Sequence, residues 1–168
     1  SGGCLATPRP SSARVCPARV RSDADARLGF TGDVMLGRGV DDSWADGHPR
    51  GVWGPLADTL RALDGLFINL ECCLSDRGRP RPGRTYHFRA DPGWAVPAMQ
   101  AADVTWASLA NNHVLDFGTG AFVDTLTALT AGGIAHSGAG RDRAAAIRPA
   151  IVSVGGLTVA VLGFTDRS

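Results

Sequence analysis

Residues 104–118, VTWASLANNHVLDFG, carry the decisive pattern of this chain: an apolar run of strand character stops at two asparagines and a histidine, then reaches an aspartate and a glycine. A helical pattern follows over residues 119–131, where Phe122, Val123, Leu126 and Leu129 fall on one face and Gly132 and Gly133 supply the stop. Strand, polar turn and helix form the repeating unit of an α/β sheet. The same alternation extends outward in both directions. RLGFTG and LFINLE read as strands with the helix GPLADTLRALDG between them, and WAVPAMQAAD reads as a helix leading into VTWASLA. Beyond the central helix come GIAHSG, a short RDRAAAI helix, and the strands PAIVSV and LTVAVLGF, joined as a hairpin through Gly155 and Gly156. This order predicts an α/β layered fold with a largely parallel sheet. The segment SDRGRPRPGRTYHFRADPG has the turn residues of a long exposed loop or hairpin, and residues 1–26, with Pro8, Pro10 and Pro17, read as a flexible leader or linker.

The bulk numbers narrow the function. At 168 residues the chain has the length of one domain, and a compact domain of that size buries about 70% of its unfolded surface. The formal net charge is +1, which speaks against nucleic acid as a partner. No apolar run reaches the length of a transmembrane helix. The cysteines, Cys4, Cys16, Cys72 and Cys73, show no zinc-type spacing: Cys4 and Cys16 could pair in an oxidising compartment, while Cys72 and Cys73 read as buried small hydrophobes.

In open α/β sheets ligands bind outside the carboxyl ends of the strands. Here those ends carry Asp33, then Asn69 and Glu71, then Asn111, Asn112, His113 and Asp116, and finally Thr165 and Asp166. Carboxylates and amide oxygens on one rim suit a divalent cation, and a histidine beside them can ligate metal or hand a proton to a leaving oxygen. Each position also has a plainer reading. Asp33 alone reads as a turn cap, and Asp116 reads as the cap of the following helix before it reads as a partner of His113. Glu71 closes an apolar strand, where a carboxylate is costly unless exposed or paired. His87 and His136 read as structural or exposed, and the GAG at 138–140 as a weak anion loop.

The segments FTGDVMLGR, NLE, YHFRADP, ASLANNHVLDFG, DTLTALTAGGI, GAG and VAVLGF, taken in order, resemble the CapA-type poly-γ-glutamate capsule-biosynthesis proteins, a branch of the calcineurin-like metallophosphatase superfamily. The resemblance implies a metallophosphatase-like α/β sandwich, of which residues 27–168 would be an N-terminal portion. It implies Asp33, Glu71, Asn69 and Asn112 as ligands of a divalent metal ion (Mn, Mg, Fe or Zn), with Met35 where a histidine ligand is usual. His113 would stabilise or protonate the leaving oxygen, with Asp116 beside it. The expected role is in capsule or poly-γ-glutamate synthesis or export; a metal-dependent phosphoesterase and a non-catalytic, polymer-binding scaffold are the alternatives. The expected partners are an anionic polymer or phosphoester substrate and membrane-bound capsule synthesis proteins. The arginines of 77–89 could meet the polymer or simply coat a solvated hairpin. The expected location is extracytoplasmic, with anchoring through a preceding leader or a lipidated Cys4. An N-terminal portion would leave sheet edges and apolar surface uncovered, so poor solubility of this chain alone is expected.

Overall fold

A computed structural model describes residues 25–166. The expectations for the leader, for Cys4 and for a Cys4–Cys16 bridge lie outside those residues. Four strands form a parallel sheet: β1 (Leu28–Val34), β2 (Gly65–Leu70), β5 (Val104–Ser108) and β6 (Ala135–Ser137), in the order β1-β2-β5-β6. Between β1 and β2 lie α1 (Gly39–Trp44) and α2 (Leu56–Arg61). Helix α3 (Pro92–Ala101) leads into β5, and α4 (Gly118–Ala131) joins β5 to β6. Every strand and helix predicted around residues 104–118 is present.

The central strand β2 is apolar on both faces because both faces are covered. Leu66, Ile68 and Leu70 join Ala95, Met99, Leu109 and Leu129 in the core on the helical side. On the opposite face Phe67 and Trp106 pack with Val152 and Val154. Those valines belong to β7 (Ala150–Val154), which pairs antiparallel with β8 (Leu157–Val161). Gly155 and Gly156, at φ 55° and 81°, supply the two positive φ values of a type I′ turn, as their sequence predicts. The hairpin, however, forms its own two-stranded sheet laid across the parallel one. Thr165 and Asp166 therefore follow a ribbon strand, on an exposed segment, and do not end a strand of the main sheet.

Three further details correct the sequence reading. The long loop is closed by β3 (Cys73–Leu74) and β4 (Arg89–Ala90), which pair in parallel, so it is not a hairpin. Some of its arginines are tied to the body while Arg79 and Arg81 stay exposed: Arg77 grips Asp124 through two nitrogens, holding that carboxyl at about 2, and Arg89 lies over the Phe117 ring at 4.4 Å. In α4 the buried residues are Ala121, Phe122, Thr125 and Leu129, while Val123 and Leu126 are only half-buried. Thr125 displaces an aliphatic residue from the packed stripe because its hydroxyl accepts from Leu74 N at 2.9 Å and donates to Ala121 O at 2.8 Å. Cys72 and Cys73 are buried free thiols, as expected, and burial pushes Cys72 up to about 12.

Thr125→Val keeps the shape but leaves the Leu74 N–H unpaired in the core. It should lower stability by about 1–2 kcal/mol in urea denaturation, with an unchanged m-value. A loss below about 0.5 kcal/mol would mean that the N–H finds another acceptor.

Candidate functional site at the strand-end rim

The register of the sheet brings the polar residues together. Gly32, at φ 71°, allows the register shift between Phe30 and Asp33, which leaves Asp33 opposite Asn69 across β1 and β2. Phe67, Asn69 and Glu71 alternate onto one side, so the polar positions continue the ribbon-covered face beyond its apolar part. The carboxamide of Asn69 then links two carboxylates, its Nδ2 donating to Asp33 Oδ1 and to Glu71 Oε1, each at 2.8 Å. Asn111 completes the row. Its Nδ2 donates to Asn69 Oδ1 at 3.0 Å and to Leu70 O at 2.9 Å, and its Oδ1 accepts from His113 N at 3.0 Å. Those bonds fix the amide orientation of both asparagines.

His113 stands between two carboxylates. Its Nδ1 lies 2.6 Å from Asp116 Oδ2, and its Nε2 lies 3.7 Å from Glu71 Oε2. The first is a hydrogen bond; the second is too long to be one. Asp116 Oδ2 also accepts from Phe88 N at 2.9 Å, so against an ionised Asp116 the Nδ1 position is the donor. Asp116 is completely buried, and Arg84 NH1 approaches its other oxygen to 3.5 Å while donating to Asn112 O at 2.5 Å. That second oxygen, Oδ1, makes no hydrogen bond. Asp116 therefore does not cap α4: Phe117 holds the N-cap position, with no side-chain bond there.

One wall of the rim is aromatic. The Phe88 ring lies 4.1 Å from the His113 ring, centroid to centroid, and Arg38 stands over Tyr86 at 5.4 Å and over Phe88 at 6.0 Å. Arg38 holds φ 55° and ψ −134°, a region suited to glycine that costs other residues about 1–3 kcal/mol.

The structure thus joins Asp33, Asn69, Glu71, His113 and Asp116 in one hydrogen-bonded group. The Asn112 carboxamide stays outside it, and Asn111 does the knitting. Asn111 stands on the expected rim without an assigned role there, and Arg84 and Phe88 are the contributors that the sequence does not reveal. Met35 is turned to its own turn, where its sulfur accepts from Gly37 N at 3.1 Å. His87 is structural, its Nε2 2.7 Å from Arg81 O and its ring edge-on to Phe117. Its counterpart His136 borders a concavity of about 680 Å³ between α4 and α5 (Arg143–Ala146), away from the rim. The GAG turn is glycine-rich for packing: a Cβ on Gly138 would stand 2.6 Å from Ala110 Cβ, and one on Gly140 2.5 Å from Ala146 N.

For a divalent cation the donors fit in kind but not in number. Two carboxylates converge on one atom, but that atom is the Asn69 nitrogen, and among the described residues no three His, Cys, Asp or Glu side chains are set to hold a metal.

Arg84→Met should strand the Asp116 charge in the interior and cost about 2–4 kcal/mol. Adding Asp116→Asn should recover part of that loss, since the charge is gone. Equal losses in the single and double variants, by thermal or urea denaturation, would show that Arg84 does not compensate Asp116.

A family model described as bacterial capsule synthesis protein PGA_cap matches residues 27–168. A probable polyglutamine synthesis accessory protein of Mycobacterium tuberculosis is 35% identical over 74% of this chain and 41% of its own length. The capsule biosynthesis protein CapA of Bacillus anthracis is 28% identical over 90% of the chain and 38% of its own length. For the PGA biosynthesis protein CapA of Bacillus subtilis the figures are 27%, 88% and 39%. The chain thus spans about two fifths of the length of these curated relatives. With the match running from the start of β1 to the last residue, and with the mixed, parallel-sheeted fold agreeing, the chain belongs to the metallophosphatase-like PGA_cap family of bacterial capsule synthesis proteins.

Proposed function

We propose that this chain serves the synthesis or export of an anionic capsular polymer of poly-γ-glutamate type, and that its working centre is the rim around His113. Support for the polymer comes from the names of the relatives. The observation that carries the site is the His113–Asp116 pair. A buried carboxylate fixes the imidazole by Nδ1, which leaves Nε2 facing Glu71 Oε2 across 3.7 Å. Such a group can take a proton from an attacking oxygen or return one to a leaving group. A reacting oxygen bonded to Nε2 would lie beside Glu71, and Asn69 lets Glu71 and Asp33 share that edge by donating to both.

The carboxylates that a divalent ion at this rim would meet are Asp33 and Glu71; Asn69 Oδ1 already accepts from Asn111, and the Asn112 carboxamide stands outside the group. Because the described side chains do not form a complete ligand set, the acid–base reading rests on His113 and Asp116 alone. The scaffold reading has one observation in its favour: Met35 packs its sulfur against Gly37 N where a ligand would have to face the rim. We place the protein outside the cytoplasm, where such a polymer is exported. Among the described residues no helix is long and apolar enough to cross a membrane.

Deleting the coding sequence in its host should reduce the cell-associated anionic polymer, and the wild-type sequence should restore it. His113→Ala should fail to restore it at equal protein level, by roughly the 10²–10⁴-fold that a lost general acid or base costs. Full rescue by His113→Ala would establish a scaffold role.

A further inference from the structure

Arg38 is placed for a purpose that its neighbours do not explain. It is exposed, it holds a backbone conformation suited to glycine, and among the described residues it makes no ion pair. The acid nearest on its own helix is committed elsewhere: Asp41 Oδ1 accepts from Trp94 Nε1 at 2.5 Å and from Asp91 N at 2.9 Å. Other arginines of this region are spent on the fold, Arg84 on Asp116 and Asn112 O, Arg77 on Asp124. The Arg38 guanidinium is instead laid over Tyr86 and Phe88, and Phe88 lies against His113. A guanidinium held near ring faces at these distances, with no ion pair, keeps its N–H groups free for bidentate capture of an oxyanion.

We propose that Arg38, backed by Tyr86 and Phe88, is the anion-recognition residue of this rim and positions a carboxylate or phosphate group of the substrate beside His113. The inference rests on the rim being the working site. It adds a specificity element: the strain at Arg38 is retained because a glycine there would carry no cation. Lysine would keep the charge but not the planar fork.

Binding to the chain is measured by calorimetry with three probes: inorganic phosphate, a short γ-linked glutamate oligomer, and the same oligomer with its carboxylates amidated. Wild type should bind at least one anionic probe and not the neutral one, and which anion binds separates the phosphoester source from the polymer. Arg38→Gln should weaken that anion by at least about tenfold, and Arg38→Lys by less. Arg38→Gly should weaken it as much as Arg38→Gln while melting at or above the wild-type temperature, because the backbone strain is relieved. A merely structural Arg38 would show the reverse, a lower melting temperature with binding unchanged. Arg79→Gln, on the exposed loop, should bind as wild type. The inference falls if no anion binds wild type, or if Arg38→Gln and Arg38→Gly bind within about twofold of it. In the polymer assay, rescue by Arg38→Gln with failure of His113→Ala would sink the role of Arg38 and leave the rim reading standing.

Discussion

The hydrogen bond from His113 Nδ1 to the buried carboxylate of Asp116 is the contact on which the rim depends. A carboxylate with no solvent contact is expensive, and the surrounding structure is arranged to compensate it. Phe88 N and the His113 ring satisfy one oxygen, and Arg84 approaches the other. Each of those partners fixes a piece of chain. Phe88 and Arg84 anchor the long loop to the turn that follows β5, and Arg84 also closes that turn by donating to Asn112 O. The same contact sets the ring of His113 against Phe88 and aims its other nitrogen towards Glu71. One buried charge thus positions the loop, the aromatic wall and the titratable nitrogen together.

The sheet supplies the rest of the geometry. Parallel strands all deliver their carboxyl ends to one edge, so residues far apart in sequence meet there without any dedicated scaffold. Asp33, Asn69 and Asn111 come from three successive strand ends, and hydrogen bonds donated by the two carboxamides let the carboxylates of Asp33 and Glu71 stand side by side. The helices bury one face, and the β7–β8 ribbon covers part of the other. Phe30, Ile151 and Phe164 remain exposed, at 72%, 62% and 77%.

Much of this was legible in the residues. The stop of each strand at a polar residue, the glycine pair of the hairpin and the helical spacing of 119–131 are local signals, and local signals survive folding. The strand-end rule then gathered Asp33, Asn69, Glu71 and His113, which one chain of hydrogen bonds connects. What failed to show was long-range. Asp116 reads locally as a helix cap because its true partners, Phe88 N and Arg84, lie 28 and 32 residues upstream, in a loop with no periodicity of its own. Thr165 and Asp166 looked like a fourth strand end because alternation reveals a strand but not the sheet it joins. Thr125 looked like an ordinary helix residue because the N–H that it satisfies belongs to Leu74.

The account stands or falls on the tautomer of His113. With Asp116 accepting from Nδ1, the neutral imidazole must carry its proton on Nδ1 and present a bare Nε2 to the rim. Two-bond ¹⁵N–¹H correlation spectra of histidine-labelled protein, with His113 assigned by its absence in His113→Gln, measure this directly. The account predicts the Nδ1–H tautomer for His113 at neutral pH, and a shift towards Nε2–H in Asp116→Asn. An Nε2–H tautomer in the wild-type protein would contradict it.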